Sequence, residues 1–213
     1  MLPFLTAMNV TNCKNYFGVS ERQRLKCCYW LALLLIFPSG ATAEQIALTV
    51  YAGKYSDNRL GDVLLSKPVE LIDSWLVAAA WSYANALENP RHQWEFEAQL
   101  AKHARGQSHW EVNALVVYRW KNFPWNQTLQ TTLAVGEGLS YATETPLLEE
   151  ASNTNVGAAR LLNYILVEAA FAPPVVTDWS LVVRVHHRSG VFGLFDDVEG
   201  GSNIIAAGIK YYY

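Results

Sequence analysis

His187 and Ser189 stand two residues apart in the stretch Trp179-Ser-Leu-Val-Val-Arg-Val-His-His-Arg-Ser-Gly-Val191. Their types are those of a general base and a nucleophile: an imidazole can take a hydroxyl proton while the oxygen attacks an ester carbonyl. The spacing suits a strand, in which alternate side chains share a face. Trp179, Leu181, Val183, Val185 and Val191 then lie on the face of His187 and Ser189, and Ser180, Arg184, His186 and Arg188 on the other. A His and a Ser on an otherwise apolar face are costly unless they are used.

The elements that must position this pair are the strand over 178–191, the loop 189–202 and the returning segment 203–213. Loop 189–202 makes the last segment the antiparallel neighbour, and Asn203 is its first residue on the shared face. Asn203 is therefore expected beside His187, where an Asn can orient the imidazole. Backbone N–H groups around Gly190 are the expected donors to an oxyanion. His186 faces inward by alternation and is expected in the core.

Upstream, the same period of two recurs. Eight segments alternate in polarity, over about 45–56, 73–85, 91–103, 109–122, 127–141, 158–172, 178–191 and 203–213, which predicts an all-β, eight-stranded antiparallel up-and-down transmembrane barrel. In the third, Trp94, Phe96, Ala98 and Leu100 alternate with Glu95, Glu97 and Gln99. Charges at Glu95, Glu97, Glu111, Arg119, Arg160, Glu168 and Arg184 are expected as a paired interior, since buried charges pair. Trp75, Trp81, Trp94, Trp110, Trp120, Trp125 and Trp179 are placed for aromatic girdles. Glu137 falls on the apolar face of the fifth segment, with the sixth between it and His187. Short connections after strands two, four and six, and longer ones after one, five and seven, put His187 and Ser189 at the extracellular end if the amino terminus is periplasmic. A soluble barrel of lipocalin type would show the opposite polarity.

The amino-terminal 1–43 reads as a targeting segment. Arg22, Arg24 and Lys26 precede an apolar run from Cys27 to Phe37, and Ala41-Thr42-Ala43 is a cleavage signal. Domain organisation is thus a signal peptide with a long n-region (1–43) and a barrel (44–213). Of the 16 basic and 19 acidic residues, four and one lie before residue 44, which leaves 12 and 18 and a net charge of −6. That balance excludes nucleic acid as a partner. All three cysteines lie before residue 44, so no disulfide or thiolate metal site is expected in the barrel. His92, His103 and His109 sit in different strands or turns without ligand spacing, so neither a metal nor another cofactor is expected.

Arg184-Val-His-His-Arg-Ser189, the loop after it and Asn203 to Tyr213 together resemble the carboxyl-terminal hairpin of the lipid A 3-O-deacylase (PagL-type) family of outer-membrane barrels. The motif match covers about 30 residues, and upstream only the eight-segment pattern agrees. The resemblance implies a serine esterase of the outer membrane, of Gram-negative type, that removes the ester-linked 3-acyl chain from lipid A of lipopolysaccharide. It places His187 on the family's base and Ser189 on its nucleophile. The family's third residue is a Glu on strand eight; Asn203 falls there, with Glu199 the nearest carboxylate upstream. The family also commonly has Asn directly after the Ser, where this chain has Gly190. Arg188 is expected either to bind a lipid A phosphate at the rim or to form a lumen salt bridge. The carboxyl-terminal Tyr213 resembles the signal by which such barrels are handed to the outer-membrane assembly machinery. Two alternatives remain open: a non-enzymatic eight-stranded barrel with a structural or adhesive role, and a lipid A acyltransferase.

Overall fold

The computed structural model describes residues 44–213 apart from 66–67, 86–88, 153–157, 177, 192 and 199–200. The expected signal segment 1–43 and Glu199 lie outside the described residues. Eight strands, β1 (Glu44–Ser56), β2 (Leu71–Asn85), β3 (His92–Ala104), β4 (Trp110–Trp120), β5 (Gln130–Ala142), β6 (Leu161–Ala172), β7 (Trp179–Ser189) and β8 (Gly201–Tyr212), form a closed barrel in sequence order. Each pairs antiparallel with its neighbour, and β1 closes on β8 through partners such as Tyr51↔Gly208 and Ser56↔Asn203. The connections after β1 and β5 carry two short helices, α1 (Leu60–Leu64) and α2 (Leu147–Ser152), at the same end of the barrel.

The period of two that builds the strands also sorts the side chains. Val50, Val77, Leu100, Val112, Val135, Leu181, Val183 and Ile209 are exposed on the outside. Trp75, Trp110 and Tyr141 ring one end of that surface, and Trp94, Trp120 and Tyr211 the other. Inside are the charges. An apolar exterior with aromatic ends around a charged interior is the inverse of a soluble barrel and suits a sheet that faces lipid. No helix among the described residues is long and apolar enough to cross a membrane.

An eight-stranded barrel is just wide enough for side chains to fill it, so the interior charges must meet. Arg119 binds Glu95 at 2.5 Å and Glu168 at 2.7 Å. Arg184 joins Glu168 to Glu97, the latter at 2.9 Å, and Lys210 adds a second cation to Glu95 at 2.9 Å. Glu111 accepts from His186 at 2.8 Å and His103 at 2.9 Å. Removing one member of such a set leaves a buried charge unpaired, a cost of about 3–5 kcal/mol. One expected member is absent from this core. Arg160 precedes β6, is exposed, donates to the carbonyls of Ala142 and Thr143, and lies over the Tyr141 ring. The alternation that would turn it inward begins only at Leu161. Lys210 takes the interior place that sequence reading had not assigned.

Candidate active site on the outer face of β7

Register decides which outward side chains meet. On β7, His187 lies across from Asn203 of β8 and Ile165 of β6; Ser189 lies across from Gly201 and Asn163. His187 Nδ1 is 2.8 Å from Asn203 Oδ1 and 3.1 Å from the Ser202 carbonyl. Both are acceptors, so Nδ1 carries the proton and Nε2 keeps its lone pair. The Asn203 amide is itself fixed, because its Nδ2 donates to the Asn58 carbonyl at 2.7 Å. Asn58 is in turn held through its side chain by Ser56, Pro68 and Glu70. The connection after β1 thus sets the imidazole tautomer on β7.

Ser189 is partly buried, and its Oγ accepts from the Val191 N–H at 3.1 Å. Among the described residues it makes no hydrogen bond to His187. An accepting Oγ still has its own O–H to give, and a catalytic hydrogen bond often tightens only when substrate is bound. Val191 has φ 49°, a left-handed conformation that is an outlier for a β-branched residue. Gly190, before it, is required by close approach: a Cβ there would run into the Val198 carbonyl. The loop folds back on itself through Phe195 N–H to Gly190 O at 3.1 Å and Val198 N–H to Phe195 O at 2.9 Å.

Two outward polar groups extend this row onto β6 and β5. Asn163, 1% exposed, donates through Nδ2 to Glu137 Oε1 at 3.3 Å and to the Gly138 carbonyl at 3.2 Å. Those bonds fix its Oδ1 on the other side, where it is buried with no hydrogen-bond partner. β6 does separate Glu137 from β7, as its position in sequence suggested, but Asn163 bridges the gap. Asn163 was missed although its signal was the one that drew attention to His187: a polar residue in an outward row of Leu161, Ile165, Val167 and Phe171.

Arg188 is corrected as a phosphate ligand at the rim. It points inward, 1% exposed, where Nε donates to Ser140 Oγ at 2.8 Å and one terminal nitrogen binds both oxygens of Glu149 at 2.8 and 2.9 Å. Its other terminal nitrogen donates to the carbonyls of Ala159 and Arg160. Glu149, from α2, also accepts from Ser202 Oγ at 2.5 Å, and burial raises its carboxyl above the usual range in spite of Arg188. The guanidinium therefore ties α2 to the strands that carry the site. His186, behind His187, faces the interior and meets Tyr164 OH at 3.0 Å and Glu111 at 2.8 Å. A cleft lined by Gln45, Gln93, Arg119, Lys121 and Tyr212 opens at the opposite end of the barrel and has no part in this row.

No protein-family model matches the chain, and no curated protein matches it. Among solved structures, the outer membrane enzyme PagL is similar with a TM-score of 0.55 at 13% identity, over 78% of this chain and 98% of that one. Neisserial surface protein A is similar with a TM-score of 0.47 at 8% identity, over 79% of this chain and 98% of that one. The Yersinia pestis attachment invasion locus protein Ail gives 0.38 at 11%, over 81% and 99%. At 13% identity the likeness to the outer membrane enzyme PagL shows the fold alone, an eight-stranded barrel of the outer-membrane type.

Proposed function

We propose that this chain is an outer-membrane ester hydrolase that removes an ester-linked acyl chain from lipid A or a related outer-leaflet lipid, with Ser189 as nucleophile and His187 as base. The observation that carries the reading is the ordered relay His187–Asn203–Asn58 on the apolar outer face, two residues along the strand from a Ser whose hydroxyl proton is uncommitted among the described residues. Intramembrane polar groups are costly and are functional candidates by default, and here four sit in one row across β8, β7 and β6. The similarity to the outer membrane enzyme PagL agrees with the reading without establishing it.

The chemistry follows from the tautomer. Ser189 Oγ turns from the Val191 N–H toward His187 Nε2, attacks the acyl carbonyl carbon and gives up its proton to Nε2. The tetrahedral oxyanion draws on N–H groups of the Gly190–Val191 turn. Its collapse breaks the ester C–O bond, and the alkoxide leaves with the proton from His187. Water then attacks the acyl-serine carbonyl, passing a proton to Nε2 and on to Ser189 Oγ. The products are a free fatty acid and a lipid with one hydroxyl restored. Asn203 holds the ring, and being neutral it orients the imidazolium without a full counter-charge.

The test is release of fatty acid from hexa-acylated lipid A in detergent micelles by the purified protein. Loss of 3-linked acyl chains with wild type and none with Ser189→Ala supports the reading. Intact lipid A after prolonged incubation with folded wild type favours a non-enzymatic barrel, and a lipid A that has gained a chain in phospholipid-containing micelles favours an acyltransferase.

A further inference from the structure

We propose that His103, His109 and Glu111 form a binding site for a divalent transition-metal ion of the zinc class inside the barrel mouth, beneath the β3–β4 connection. Sequence spacing gave no reason to join them. The hairpin does so: Arg105 and Gly106 both turn left-handed, and the His103 N–H donates to the His109 carbonyl at 3.0 Å. The two imidazoles then stack with ring centroids 4.1 Å apart. Donor atoms of His103, His109 and Glu111 all fall within 4.8 Å of one another. All three residues are buried, at 3%, 3% and 0% exposure.

Hydrogen bonding within the cluster is incomplete. His109 Nε2 and Gln107 Oε1 are both buried without a partner among the described residues, and a buried polar atom left unpaired is destabilising. An ion would remove both. His103 Nδ1 meets Gln107 Nε2 at 3.1 Å, so its proton is on Nε2, directed at Glu111 Oε2 2.9 Å away. A metal at that position displaces this proton, leaving His103 protonated at Nδ1. Gln107 then turns its amide so that the orphan Oε1 accepts the Nδ1–H, the usual support for a metal-bound imidazole. His109 Nε2 supplies the second nitrogen after its ring rotates out of the stack, and Glu111 Oε2 the oxygen. Two imidazoles and a carboxylate suit zinc at about 2.0–2.2 Å, with a fourth place for water.

The surrounding charges tolerate the ion. Glu111 Oε1 is taken up by His186 at 2.8 Å, which leaves Oε2 to face His103 at 2.9 Å. Of the nearby cations, Arg188 lies 3.9 Å from Glu111 Oε2 but is matched by Glu149 at 2.8 Å, and Lys102 donates to Ser108 Oγ at 3.3 Å.

The test uses untagged protein isolated from membranes in detergent, stripped with EDTA and dialysed against micromolar zinc chloride, with zinc counted by mass spectrometry. Wild type is expected to retain about one zinc per barrel and to unfold at a higher temperature with zinc than without. His109→Gln and His103→Gln, confirmed as folded by heat-dependent gel migration, are expected to bind zinc at least about tenfold more weakly and to lose the thermal shift. No stoichiometric zinc on folded wild type, the outcome if a buried water satisfies the two orphans, overturns the proposal. So does uptake that is the same in both folded variants.

Discussion

His187 Nδ1 lies 2.8 Å from Asn203 Oδ1, and the other half of the Asn203 amide is held by the Asn58 carbonyl at 2.7 Å. The pair is thereby locked from one side by β8 and from the other by the connection after β1. If this lock sets the reactive tautomer, Asn203→Ala should lower kcat for ester hydrolysis by about a hundredfold, within the span that general-base catalysis supplies, with little change in KM. Asn203→Asp should retain more activity than Asn203→Ala, because a carboxylate still accepts from Nδ1. Equal kcat for wild type and Asn203→Ala, measured on a soluble chromogenic ester, would remove Asn203 from the account.

Asn163 supplies a second test, since its Oδ1 is a buried acceptor beside the strand position of Ser189. A substrate N–H or O–H, such as the hydroxyl of a hydroxyacyl chain, is the group it would receive. Asn163→Leu should leave the barrel as stable as wild type or more so, because an orphan is lost. It should also raise KM by about tenfold or more for a hydroxylated acyl chain and less for a plain one. A stability loss with no change in KM would make Asn163 structural only.

Val191 stands in the left-handed region, at φ 49°, immediately beyond the nucleophile's strand. Conformations of this kind cost about 1–3 kcal/mol and persist only when the surroundings enforce them. Val191→Gly is expected to raise the unfolding midpoint while lowering kcat, as the N–H now held at 3.1 Å from Ser189 Oγ loses its fixed direction. Higher stability with unchanged kcat would dissociate the turn from catalysis.

Much of this was legible because the barrel is a period-two object. Alternation alone separated Glu95, Glu97 and Arg184 from Trp94 and Val183, and set Asn203 beside His187. What sequence missed depends on closure. Glu149 reaches Arg188 only because α2 caps the barrel mouth, and a six-residue helix leaves too short a pattern to see. His103 and His109 meet through a left-handed turn at Arg105 and Gly106, for which linear ligand spacing has no rule. Arg160 was misplaced by one residue of strand boundary, enough to move a side chain from interior to surface.

His109 gives a pH dependence with a fixed sign. Its folded value is pushed down to about 4 from an ordinary 6.5, chiefly by burial. The unfolded chain therefore binds more protons between those limits, and stability falls as pH drops from about 6.5 toward 4. In EDTA, His109→Gln should flatten the decline of the unfolding midpoint across that window. An identical slope in both proteins would assign the acid sensitivity to other groups.

The central claim is that Ser189 cleaves an acyl ester at the outer leaflet, and mass spectrometry of lipid A from cells expressing the chain tests it most directly. The account predicts lipid A lighter by one 3-linked acyl group with wild type and unaltered lipid A with Ser189→Ala at equal membrane levels. Unaltered lipid A in both, or deacylation that survives Ser189→Ala, would contradict it.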